Sequence, residues 1–426
     1  MLTTPREPAT DEVTGWLARS ALRLDSLTAG APTADLQPLK GVLDGVRIVG
    51  LGEATHGTRE FFQLKHRLLE FLVTELGFTV LAMEASASAA SAVDAYVRHG
   101  VGDGARALTG LGFWTWRTQE VLAMIEWMRA YNQGRPEARQ VRFAGIDPQQ
   151  CGPSLAELDT LLRRLAPERA GELLTPLRVL ADAYPGSRPD PDRLLFHDAE
   201  KLLDFLLGNA SEETDAVRHA RILTQAADLV TRPRRHTDPE RTVYAARDRY
   251  MAAAVGELLA DPSARVALWA HNGHIATSGR GTAVPAPLGQ HLRTRHGDAY
   301  YALGLLFGRG SFRARRMWPG PWARPRAGAV VANGLGPARA DTVEARLAAA
   351  NPGDHFVDLR SGADGPSAVR QWLHAPHLTR SFGALVPRWT YRFNLSPVTL
   401  ADAYDGLAYA AVSTSSRPLL SPVRTP

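Results

Sequence analysis

The chain has 426 residues, 45% hydrophobic and 22% charged, with a formal net charge of +5; this exceeds one ordinary domain and matches a soluble globular protein of two or three substructures. No run approaches the about 18 apolar residues of a membrane helix, and Met1 to Pro8 lacks a basic stretch followed by an apolar one, so a cytoplasmic protein with no membrane partner is expected. Arginines are scattered among acids, which argues against nucleic acid, and the lone Cys151 leaves neither an intramolecular disulfide nor a multi-cysteine zinc site.

In chain order, a leading helix is expected over Glu12 to Leu27, followed by a Pro/Gly/Ala-rich connection to about Leu43. Val46 to Leu51 is a short apolar run suited to a strand buried on both faces. Phe61, Phe62, Leu64, Leu68, Leu69, Leu72 and Leu76 then recur at helical spacing, with Gly77 as C-terminal cap. Phe78 to Met83 reads as the next strand, closing a βαβ unit, and Val141 to Ile146 as a third. From Ser154 to Asp261 only helical patterns occur: Leu155 to Leu165, Arg169 to Tyr184, Asp198 to Leu207, Glu213 to Val230 and Glu240 to Leu259. The densest basic cluster, Arg232 to His236, falls there and reads first as a solvated loop. Strands resume at Val266 to Ala270 and Tyr300 to Phe307. After Trp322 the composition shifts to Pro, Gly and Ala, with short strands such as His355 to Leu359 and Leu407 to Val412.

The fold expected is α/β: a mostly parallel sheet flanked by helices, with a helical insertion and a smaller α+β C-terminal portion. Its divisions are 1–152 and 263–322 for the body, 153–262 for the insertion, and 323–426 for the portion completing the body.

Four of these runs end on residues capable of acid–base chemistry. Val46 to Leu51 leads into Gly52-Glu53-Ala54-Thr55-His56-Gly57, Phe78 to Met83 into Glu84, Val141 to Ile146 into Asp147, and Val266 to Ala270 into His271-Asn272-Gly273-His274. If the runs are neighbouring strands, their carboxyl ends share the sheet edge where open α/β folds bind ligands. Cys151, close behind Asp147, reads as a small buried residue before it reads as a nucleophile.

Several of these motifs together resemble the erythromycin esterase family. The residues that carry the likeness are Gly52-Glu-Ala-Thr-His-Gly-Thr-Arg-Glu-Phe61 with Lys65, Ala82-Met-Glu84, Phe113-Trp-Thr-Trp116 with Glu120, Gly145-Ile-Asp147, Arg247-Asp248, and Trp269-Ala-His-Asn-Gly-His274. Tyr404-Asp-Gly406 extends it almost to the end of the chain. The resemblance implies hydrolysis of a macrolactone ester by activated water without a covalent acyl-enzyme. His56 would be the general base, with Glu53, Glu84, His271 and His274 at the family's other motif positions. Lys65 stands where some members carry arginine, a point charge in place of a planar fork.

Ester hydrolysis needs a base, a group orienting it and positive or hydrogen-bonding groups for the oxyanion. Glu53 or Glu84 can orient His56; His271 or His274 can stabilise the oxyanion or protonate the leaving alkoxide; Lys65 or Arg247 can supply charge. Phe113, Trp114 and Trp116, with Arg247 and Asp147, are the expected substrate contacts, and the expected partner is a small ester or macrolactone. No Gly-x-Ser-x-Gly elbow offers a serine route. No cofactor is expected, although Glu53, His56, Glu84, His271 and His274 also form an oxygen and nitrogen set that a metal could use to activate water. Two other readings stay open: a biosynthetic enzyme performing lactonisation, dehydration or rearrangement of a polyketide-like intermediate, and a protein that binds a macrocycle without turning it over. The arginine- and alanine-rich composition resembles that of actinomycetes, which fits secondary metabolism or antibiotic resistance.

Overall fold

A computed structural model describes residues 8–209, 215–279, 284–318 and 326–419. Its strands are β1 (Ala21–Arg23), β2 (Ile48–Leu51), β3 (Val80–Ser86), β4 (Arg142–Asp147), β5 (Val266–Trp269), β6 (Tyr300–Trp318), β7 (Arg326–Leu335), β8 (His355–Asp358), β9 (Pro376–Arg380), β10 (Leu385–Pro387), β11 (Leu395–Thr399) and β12 (Gly406–Ser413). The main sheet runs β1-β8-β12-β6-β2-β5-β3-β4, with β7 and β10 along the outer half of β6; β9 and β11 form a separate antiparallel pair. From β12 to β4 every pairing along this path is parallel, while β1, β7 and β8 pair antiparallel. This is the mostly parallel α/β sheet expected.

Every residue of β2, β3 and β5 is buried, as strands covered by helices on both faces require. The helix Arg59–Leu76 ends at Gly77, whose φ of 69° supplies the left-handed cap, and it buries Phe61, Phe62, Leu64, Leu68, Leu69 and Leu72. The four chemistry-bearing runs are contiguous in the sheet, but β5 lies between β2 and β3. The βαβ unit therefore skips one position, which is filled by a strand some two hundred residues later in sequence.

Other boundaries differ from expectation for local reasons. The leading helix is Pro8–Ser20 and gives way at Ala21 to edge strand β1, which pairs with β8. The single helix expected over Arg169 to Tyr184 divides into Pro167–Leu174 and a 3₁₀ stretch Pro176–Ala181, because Pro176 cannot donate the next helical hydrogen bond. Strand β6 continues to Trp318 because β7 and β10 supply partners beyond Phe307. Glu213 and Trp322, which bounded expected elements, lie outside the described residues.

Helices between Gly152 and Thr231 enclose a core of their own, including Leu158, Leu162, Leu177, Leu202, Leu206 and Leu223. The helix Val243–Leu258, expected within the insertion, instead sends Met251, Ala252 and Val255 into the main core. Cys151 is buried at the inner edge of the insertion core, and burial pushes its thiol pKa up to about 11, the state of an inert thiol.

Candidate active site

The turn after β2 is built for close approach. A side-chain carbon on Gly52 would lie 2.1 Å from Asn272 Oδ1, and one on Gly57 would lie 2.0 Å from the Arg313 carbonyl, so both positions require glycine. Between them Glu53 is fully buried. Its Oε1 is 2.7 Å from His56 Nδ1, and its Oε2 accepts from Lys65 Nζ at 2.7 Å and from Trp269 Nε1 at 3.1 Å. The carboxylate therefore holds the His56 proton on Nδ1 and leaves the Nε2 lone pair with no hydrogen-bond partner among the described residues. The His56 ring lies 5.0 Å from that of His271 and edge-on to Trp116 at 5.9 Å. Burial pushes the Lys65 pKa down to about 8, although Glu53 and Glu84 pull the other way.

A second cluster forms around Arg247, on the helix Val243–Leu258. Its Nε and Nη2 donate to Asp147 Oδ2 at 3.1 and 2.6 Å, Nη2 also to Glu84 Oε1 at 2.7 Å, and Nη1 stands 2.9 Å from His274 Nε2. The register of β3 against β4 shifts between Met83 and Ser86, and this irregularity aims Glu84. Gly145 permits it, since a side-chain carbon there would meet the Ser86 carbonyl at 2.3 Å. Burial disfavours the Glu84 charge, but His274 and Arg247 together outweigh it and hold the carboxyl well below its usual range. Asp147 and Glu84 likewise raise the Arg247 pKa against burial.

His274 Nδ1 lies 2.5 Å from Asp248 Oδ1, and Nε2 lies 3.3 Å from Glu84 Oε1. Burial opposes charge on this ring, yet the two carboxylates outweigh both burial and Arg247 and lift its pKa to about 10. The carboxylates thus favour the imidazolium, while Arg247 Nη1, which can only donate, stands against Nε2. His271 is held differently. Its Nδ1 accepts from Gly273 N at 3.0 Å and its Nε2–H donates to the Phe382 carbonyl at 3.2 Å, a neutral tautomer with both nitrogens engaged. Its backbone N–H donates to Glu84 Oε2 at 3.0 Å.

His271, His274 and Asp248 line a cavity of about 730 Å³ together with Thr379, Ser381, Ser396 and Tyr404. A larger cavity of about 1320 Å³, between the body and the insertion, is lined by none of the acid–base residues of the two clusters.

The structure thus brings Glu53, His56, Lys65, Glu84, Asp147, Arg247, His271 and His274 to one sheet edge. Trp116 is fully buried, donates Nε1 to the Glu84 carbonyl at 3.0 Å and packs against His56. Phe113 packs on the main core, and Trp114 lies under the Arg313 guanidinium; neither of these expected substrate contacts walls the cavity beside His271. Sequence reasoning named Asp248 only within the Arg247-Asp248 motif, with no role of its own, and gave none to the Phe382 carbonyl. Asp248 was readable only as the neighbour of Arg247, and a backbone carbonyl has no sequence signal. Among the described residues no group of three or more His, Cys, Asp or Glu side chains is arranged to hold a metal ion.

The sequence model of the erythromycin esterase family matches residues 73–412. The chain belongs to the erythromycin esterase family. It is 25% identical over 308 residues to erythromycin esterase type II of Escherichia coli, covering 64% of this chain and 71% of that protein. The fold is shared with a succinoglycan biosynthesis protein at TM-score 0.79 and 22% identity, over 98% of this chain and 100% of that one. It is shared also with an erythromycin esterase EreC mutant in its open conformation, at TM-score 0.67 and 19% identity, over 92% and 96%. At the level of the family this is an esterase-like hydrolase. Among the described residues no helix is long and apolar enough to cross a membrane.

Proposed function

We propose that this member of the erythromycin esterase family hydrolyses a lactone or macrolactone ester with water activated by His56 and without a covalent intermediate. The observation that carries the reading is the 2.7 Å contact between Glu53 and His56 Nδ1, which leaves Nε2 as an acceptor at the sheet edge. Nε2 takes a proton from water as its oxygen attacks the ester carbonyl. Glu53 stabilises the imidazolium, and the same nitrogen returns the proton to the leaving alkoxide when the tetrahedral intermediate collapses. Arg247 and His274, the latter with charge favoured by Asp248 and Glu84, supply the positive charge toward which the oxyanion develops. His271, with both nitrogens engaged, acts as a wall that positions His56 and substrate. Lys65 pairs with the Glu53 oxygen that His56 does not use. No metal or cofactor is required by this scheme.

The test is mass spectrometry of macrolactones and simpler polyketide esters incubated in ¹⁸O-water with chelator-treated protein. The expected product is the substrate plus one water, with ¹⁸O in the new carboxylate, made by the wild type and not by His56→Ala. Loss of water, or capture of a macrocycle with no mass change, would turn the assignment to biosynthesis or to sequestration.

A further inference from the structure

The basic stretch Arg232 to His236 is not absorbed by the ester-hydrolysis site. It bounds a separate cavity of about 400 Å³ where the loop 232–241 meets the segment 189–193 and the end of the helix Asp215–Thr231. Arg193, Arg232, Arg241 and His236 line it, with Asp190 the only acidic residue in the lining. Pro189, Pro191 and Pro233 stiffen the walls, and the last carbonyls of the helix, Leu229, Val230 and Thr231, are already bonded by Gly186, Arg188 and Asp190 N–H groups. The guanidiniums are therefore not needed to satisfy the helix end.

Charge at this cavity is unbalanced. The buried Asp228 accepts from Arg193 Nη2, from Arg232 Nε at 2.7 Å and from Tyr250 Oη at 2.7 Å, one carboxylate against two guanidiniums. Asp190 spends its oxygens on the Asp192 and Leu194 N–H groups at 3.0 and 2.9 Å. Arg241 has no ion-pair partner among the described residues, and His236 Nδ1 is occupied by the backbone of Asp238. Arg193 is held with φ of 53°, in the left-handed region that a non-glycine residue enters at a cost. Its guanidinium lies over the Phe196 ring at 3.9 Å, and its Nε is buried without a hydrogen-bond partner. An arginine fixed in a costly backbone conformation, with an unsatisfied donor and two further guanidiniums around a rigid cavity, is the arrangement that charge-assisted recognition of an oxyanion uses.

The geometry points to a second ligand site here, taking an anionic group, a phosphate monoester or a carboxylate, on a small molecule. It stands apart from the ester site and does not depend on the reaction proposed there. The helix that begins at Val243, immediately beyond this loop, is the one carrying Arg247 and Asp248.

The experiment is calorimetric titration of the full chain with inorganic phosphate and, separately, with succinate at matched ionic strength. Wild type, Arg241→Gln, Arg193→Gln and the distant Arg339→Gln are compared after thermal unfolding has verified that each is folded. Saturable binding in the millimolar range or tighter is expected. Arg241→Gln, an exposed position with no ion pair to lose, should weaken it by about tenfold or more, and Arg339→Gln should not change it. Preference for phosphate or for succinate assigns the anion class. Absence of saturable binding by both anions, or binding unchanged by Arg241→Gln, overturns the proposal.

Discussion

Lys65 Nζ lies 2.7 Å from Glu53 Oε2, with both side chains fully buried, while the other oxygen of the same carboxylate is left to His56. A point charge engages one oxygen; a guanidinium fork at this place would compete for both. The pair is thus electrostatic support for the base, sealed under Trp269, whose ring centre is 4.4 Å from Nζ.

Removing that support has two consequences. Lys65→Met leaves Glu53 buried without its cation and should cost about 3–5 kcal/mol of stability, measured by denaturant unfolding. Lys65 with a pKa near 8 is charged below that pH and neutral above it. Hydrolysis by the wild type should therefore decline above pH 8, and Lys65→Arg, charged throughout, should remove that alkaline limb whatever it does to the maximal rate.

His56→Ala should lower kcat/KM by roughly 10²–10⁴-fold, the range of a lost general base. Glu53→Gln should approach the same loss with the histidine still present, because the amide no longer fixes the Nδ1–H tautomer. If Glu53→Gln retains near wild-type turnover while folded, the orienting role of Glu53 is wrong.

Asp248→Asn removes the larger of the two carboxylate influences on His274. Burial and Arg247 then act against charge with only Glu84 opposing them, so the imidazolium is lost at a lower pH than about 10. The variant's rate should fall more at pH 8 than at pH 6, read as an alkaline limb that sets in at lower pH than the wild type's.

A fourth expectation concerns stability away from the site. Glu344 is buried; its Oε1 accepts from Arg380 N at 2.7 Å and its Oε2 has no partner. Burial lifts its pKa to about 7, outweighing the Arg380 N–H and guanidinium, with the Tyr409 ring also close in this network. For a carboxyl raised on folding, the native state holds the proton longer. Its stabilising contribution is fully present below the unfolded pKa near 4.5 and is lost as pH rises through about 7. Glu344→Gln should flatten that decline and leave the protein about 1–3 kcal/mol more stable at pH 8, measured by urea unfolding across pH.

The strand runs were legible because a parallel strand covered on both faces has to be nearly all apolar, as Ile48 to Leu51 and Val266 to Trp269 are. The residues just past them were legible as a site because strand ends in such a sheet face one edge. Less visible was the continuation of β6 past Phe307. From Arg309 on only Phe312 and Ala314 are buried, and strand character depends on β7 and β10 arriving as partners. The aromatic cluster misled in part: Phe113, Trp114 and Trp116 are adjacent in sequence, but only Trp116 reaches His56, because a short 3₁₀ turn points them in different directions.

The sequence by itself determined the sheet class, the family and the set of groups Glu53, His56, Lys65, Glu84, Asp147, Arg247, His271 and His274, since these follow from local pattern and residue type. Tertiary structure alone decided their states. Which histidine is neutral and which charged depends on contacts between segments distant in the chain: His271 with the Phe382 carbonyl, Glu84 with Arg247, and Glu53 with Trp269. Protonation is set by burial and by the charges within a few ångströms, and no local sequence pattern encodes those distances.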